Sequence, residues 1–165
     1  MRDFEIQCII DWWGDPFRNV LDQSIEKDVF EPYRNGEHYH SLIRLGTYIS
    51  IVILKMLSQK CPSKIKPTPK RVSVGWLLDS APLIRESRKK GLGKLLVELK
   101  ECFKGQIPDQ LIEDLHIIRE LRNAYAHRLT PVQDIFRSEH EVILEAMRNT
   151  WQDLRNEYVK VVPNI

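Results

Sequence analysis

Along most of the chain apolar residues recur at alternating steps of three and four, the spacing that lays one side of an α-helix against a core. The longest series, Leu42, Leu45, Ile49, Val52 and Met56, starts after His38 and predicts a helix of about four turns. Arg44 and Lys55 near its ends, together with its shortness, argue against a membrane span. Upstream, Ile6, Ile9, Ile10 and Trp13 precede a break at Gly14. Asp15-Pro16 then supplies an N-cap and a first-turn proline for a helix with Phe17, Val20, Leu21 and Ile25 inward. Leu92, Leu95, Leu96, Leu99 and Phe103 mark another amphipathic helix, closed by Gly105. Pro108-Asp109 opens the next, which runs to about Arg128 and is stopped by Pro131. Ser138-x-x-Glu141 reads as a capping box ahead of a last helix with Ile143, Met147, Leu154, Tyr158 and Val161 on one face. The expected fold is all-α: an up-and-down bundle of four to five main helices forming one domain over residues 1–165.

The segment KCPSKIKPTPKRV interrupts this pattern. Each proline bars its predecessor from the helical region, which predicts an extended, basic, proline-rich loop at about 60–72. Charge sharpens the picture there. Residues 1–37 hold four basic and nine acidic side chains, whereas residues 38–78 hold seven basic and no acidic ones. Such a stretch attracts polyanions if its cations share a surface, and is a plain solvated loop if they do not. With 42% hydrophobic residues the 165-residue chain has enough apolar material for one compact core, which excludes a disordered or low-complexity protein. Three cysteines with no Cys-x-x-Cys pair suggest neither a disulfide framework nor a zinc site, and a reducing, cytoplasmic setting is expected. Two acids within the first five residues do not fit a secretory signal. His38-Tyr39-His40 places two histidines two apart, on different sides of a helix, so no metal site is expected, nor any cofactor. Trp12-Trp13 fits core packing or a subunit contact.

The chemically informative segment is LIEDLHIIRELRNAYAHRL, residues 111–129. On an ideal helix Leu111, Leu115, Ile118, Tyr125 and Leu129 fall within about 60° of Arg122, so this arginine occupies the apolar stripe. A guanidinium cannot be neutralised at physiological pH. It belongs there only if a carboxylate such as Glu26, Glu98 or Asp114 clamps it, or if it lines a cleft where positive charge is wanted. His116, Glu120, Asn123 and His127 form a second, polar edge. His127 is suited to proton transfer near neutral pH, but points about 140° away from Arg122 on a straight helix. A shared centre requires the helix to unwind or two copies to face each other across a two-fold axis.

Arg122-Asn123-Ala124-Tyr125-Ala126-His127 is an R-N-x-x-x-H motif and resembles the signature of the HEPN superfamily, the higher-eukaryote and prokaryote nucleotide-binding helical domains. The resemblance implies a dimeric helical bundle, with many members acting as metal-independent ribonucleases of toxin-antitoxin and phage-defence systems. It makes Arg122 and His127 catalytic and Asn123 the residue that orients them. RNA becomes the expected partner, held by Lys64, Lys66, Lys70, Arg71, Arg88, Lys89 and Lys90, beside a homodimer and an antitoxin or regulatory protein. Toxins of this kind that pair with a minimal nucleotidyltransferase carry tyrosine two residues after the histidine. That position is Leu129 here, so regulation by adenylylation is not expected. Residues 91–127 are also similar to the mannitol-operon repressor family, which implies the alternative of a non-catalytic regulator or dimeric interaction module.

Overall fold

The structure, a computed structural model, describes residues 23–61, 91–127 and 130–161. All regular structure among them is helical, as the sequence predicts. A π-helical turn, Glu26–Phe30, leads into the short α1, Glu31–Arg34. Gly36, at a φ of 90°, then reverses the chain into α2, His38–Lys60. After residues 62–90 come α3 (Leu92–Cys102), α4 (Asp109–Ala126), α5 (Thr130–Ser138) and α6 (His140–Val161). Of the helix expected after Asp15 only the end is described, where Ile25 is buried as expected. Lys60, given to the expected loop, is instead the last residue of α2. The Trp12-Trp13 pair and residues 62–72 of that loop lie outside the described residues. So do Lys64, Lys66, Lys70, Arg71, Arg88, Lys89 and Lys90.

α2 is the axis of the bundle. Leu42, Leu45, Ile49, Val52 and Met56 are all buried, as the seam requires, and Ile53, Leu54 and Leu57 widen the apolar side. At 23 residues this helix has the length and apolar character to cross a membrane, so shortness does not argue against a span. Its apolar side chains are covered instead by Leu95, Leu96 and Leu99 of α3, Leu115 and Ile118 of α4, and Trp151, Leu154 and Tyr158 of α6, in one continuous core. Tyr48 ties this centre to its flank: its hydroxyl donates to Asp28 Oδ2 at 2.7 Å, and its ring meets Trp151 edge-on.

Three features depart from the sequence-based expectation. Cys61, just past α2, and Cys102, the last residue of α3, form a disulfide with Cα atoms 6.5 Å apart, although the cysteine count suggested none. Their separation of 41 residues hides the pairing, which only the docking of two helix ends brings about. Because both bonded residues sit at C-terminal ends, the packed pair α2 and α3 runs parallel, with residues 62–90 between them in the chain. Next, Pro131 does more than end the helix before it. Thr130-Pro131 starts α5, since a proline in a first turn forfeits no hydrogen bond and has the right φ. Finally, the capping box does not form: Ser138 Oγ donates to Ile135 O at 3.3 Å, and α6 begins at His140.

Candidate functional site

α4 starts where Pro108 and Asp109 predict and ends at Ala126, with His127 as its C-cap. Leu111, Leu115 and Ile118 form the buried stripe, and Arg122 follows at the next inward position, half-buried. It fits because the facing residue of α2 is Gly46. A Cβ built there would lie 2.7 Å from Arg122 Nη1 and 3.4 Å from its Cδ, so the side chain rests directly on the α2 backbone. One turn earlier, Arg119 lies over Gly93 of α3 in the same way, with Nη1 3.2 Å from a Cβ added there. Two guanidiniums therefore sit side by side where α2, α3 and α4 converge.

None of the ion pairs found among the described residues joins a carboxylate to either arginine, and Glu98, one of the candidate clamps, is buried on α3 and engaged in an interaction of its own. Glu26, one of the clamps considered for Arg122, pairs with Arg34 and Arg148, and Asp114 accepts from Gln110 Nε2 at 2.9 Å. The only side-chain hydrogen bond of Arg122 among the described residues is a long one, 3.5 Å from Nη2 to the Oδ1 of its neighbour Asn123. The Nε of Arg119 is buried without a partner. Burial, and then repulsion from Arg119, lower the Arg122 guanidinium from its ordinary value. It stays cationic at neutral pH all the same, because guanidiniums start so high. A cationic pair with no carboxylate partner found among the described residues gains most from an anion that can take both. Arg148 makes the contrast. In an open cleft of about 500 Å³ lined also by Trp151 and Arg155, it pairs with Glu26 and covers the Phe30 ring at 4.8 Å.

Arg119 is a residue that sequence reasoning missed. It lies about 60° from Arg122 on the ideal wheel, at the edge of the stripe, and two glycines at inward positions of other helices were the available signal. Asn123 and His127 are exposed, and His116 is half-buried on the same polar edge. The backbone stays helical to the cap, where the His127 N–H donates to Asn123 O at 3.1 Å. Within one chain the imidazole thus remains on a different side of α4 from Arg122, and no contact joins them. Compared with protein-family models, with curated proteins and with solved structures, the chain matches none.

His38 and His40 also separate. His40 is exposed, whereas His38 is buried against Tyr33, Tyr125 and Phe136, with ring centroids 4.5, 6.2 and 5.8 Å away. No cluster of metal-ligating side chains occurs among the described residues. Burial lowers the His38 pKa from 6.5, helped by His140 and Arg137. The fold therefore prefers the neutral ring, while the unfolded chain takes up a proton near its ordinary value. The contribution of His38 to stability is complete above about pH 6.5 and is lost as pH falls below it. Urea midpoints are expected to drop between about pH 7 and pH 5, and less so in His38→Phe. Equal slopes in both proteins would assign the acid sensitivity elsewhere.

Proposed function

We propose that the chain is a metal-independent endoribonuclease of HEPN type, acting in defence or as a toxin, with Arg119 and Arg122 holding the phosphate at the cut. The observation that carries this reading is the pair of half-buried guanidiniums without a carboxylate among the described residues. RNA brings its own nucleophile. The 2′-oxygen attacks the adjacent phosphorus, the bond to the 5′-oxygen breaks, and the products are a 2′,3′-cyclic phosphate and a 5′-hydroxyl. Arg122 and Arg119 offset the charge that grows on the phosphoryl oxygens. His127 takes the proton of the 2′-hydroxyl, and the imidazolium returns a proton to the departing oxygen. Since Arg122 and His127 point apart along one helix, the working site is composite, built from two copies related by a two-fold axis.

The same divergence favours a second reading, in which the bundle is a non-catalytic regulator or dimeric interaction module and His127 only caps α4. Binding and cleavage separate the two. Arg122→Ala and Arg119→Ala are each expected to weaken binding of single-stranded RNA and to reduce the slope of log affinity against log salt by about 0.7. RNA cleavage in a clean preparation that is unchanged by Arg122→Ala and His127→Ala overturns the nuclease reading.

A further inference from the structure

Tyr39, on the first turn of α2, is 40% exposed although its ring is large. The exposed ring of His40 tilts against it with centroids 5.8 Å apart, and the face of Tyr39 towards α4 is occupied. It stacks on Tyr125 of α4 with centroids 6.3 Å apart and planes 23° from parallel. Tyr125 is itself fixed from behind by Phe136, 5.3 Å away, and by the edge contact of buried His38. Tyr39 is therefore one plate of a supported aromatic stack that leaves ring surface to solvent. Tyr125 lies one turn beyond Arg122 on the same stripe of α4, and Tyr39 lies seven residues, about 10 Å along the helix, from Gly46, on which Arg122 rests. That span is comparable to the reach from a backbone phosphate to the base of a neighbouring nucleotide. Ile43, 39% exposed, lies one turn further on between the two positions. From His38 to Lys60 α2 carries no carboxylate, and its one acidic neighbour in the chain on this end is the N-cap Glu37.

From this arrangement we infer that Tyr39 is a base-stacking subsite for single-stranded RNA whose phosphate is held by Arg122 and Arg119. The inference rests on the phosphate-binding reading above and extends it to the form of the substrate. A base has a π-face whatever its identity, so the platform tolerates sequence but requires an unpaired base. Duplex RNA offers the same phosphates with its bases enclosed, and gains nothing from Tyr39. The occupant of this face is a nucleic acid, because the cations beside it find no matching carboxylate among the described residues.

Fluorescence anisotropy with a labelled single-stranded oligoadenosine and with a duplex of equal length is the test, applied to the full chain. Tyr39→Ala is expected to weaken single-strand binding about 5- to 100-fold, with duplex binding changed less than about twofold. Tyr39→Phe, which keeps the ring, is expected to bind both as the parent does. Circular dichroism verifies that the exposed substitution leaves the helices intact. If Arg122→Ala weakens single-strand binding while Tyr39→Ala does not, the stacking subsite is wrong and the phosphate site stands. If neither substitution matters, both are wrong. If Tyr39→Ala converts dimers to monomers by light scattering, the face is a contact between copies and the inference is overturned.

Discussion

Protein carrying His127→Ala is expected to cleave single-stranded RNA about 10²- to 10⁴-fold more slowly than the parent chain, the range for removal of a general acid-base group. Arg122→Ala is expected to lose about 10²- to 10³-fold through the missing charge stabilisation. Co-expressing the two inactive proteins is expected to return about a quarter of the parental rate. The restoration follows from the geometry of α4, which directs Arg122 onto Gly46 and His127 away from it. If each site draws its arginine from one subunit and its imidazole from the other, half of a randomly paired population is mixed. Each mixed dimer then keeps one intact site and loses the other. Purified mixed dimers, assayed beside the two parents on labelled RNA, give the answer. A mixture no better than its components rules out a composite site.

The second large effect is expected at a residue with no chemistry of its own. Gly46→Ala places a methyl 2.7 Å from Arg122 Nη1, closer than packed atoms allow. The neighbour is the far end of a flexible side chain, so the guanidinium leaves its slot and the helices need not part. Alanine is also worth up to about 1 kcal/mol over glycine within a helix. The variant is thus expected to unfold at the same or higher urea concentration than the parent, yet to lose about 10- to 100-fold in cleavage, as displaced catalytic groups do. Chemical denaturation and single-turnover rates check the two halves separately. A variant with parental activity would mean that the position of Arg122 over Gly46 is not used.

How much of this was legible beforehand depends on how far apart in the chain the cause and its effect lie. The seam of α2, the stop at Gly105 and the start at Pro108-Asp109 are local signals, and the structure places its helices accordingly. The inward place of Arg122 also follows from its own helix, because a 100° step per residue needs no partner to be worked out. What that arginine meets does not follow. Gly46 and Gly93 gain meaning only once α2 and α3 are docked on α4. Cys61 and Cys102 likewise become neighbours only through the parallel run of α2 and α3, which no periodicity encodes. Proline at 131 and serine at 138 are a different kind of miss. Each has two local meanings, and the surrounding turn selects one: Pro131 begins α5, and Ser138 bonds back to Ile135.

The bond between Cys61 and Cys102 has a mechanical side. It turns the middle of the chain into a closed ring, so a machine that hauls the protein through a narrow channel from either terminus must pass three strands at once when it reaches the ring, its two arms and the rest of the chain. Reduction opens the ring and leaves a single thread. The ease with which the chain is extracted for degradation is thus tied to the thiol chemistry of its surroundings, independently of how firmly the helices pack.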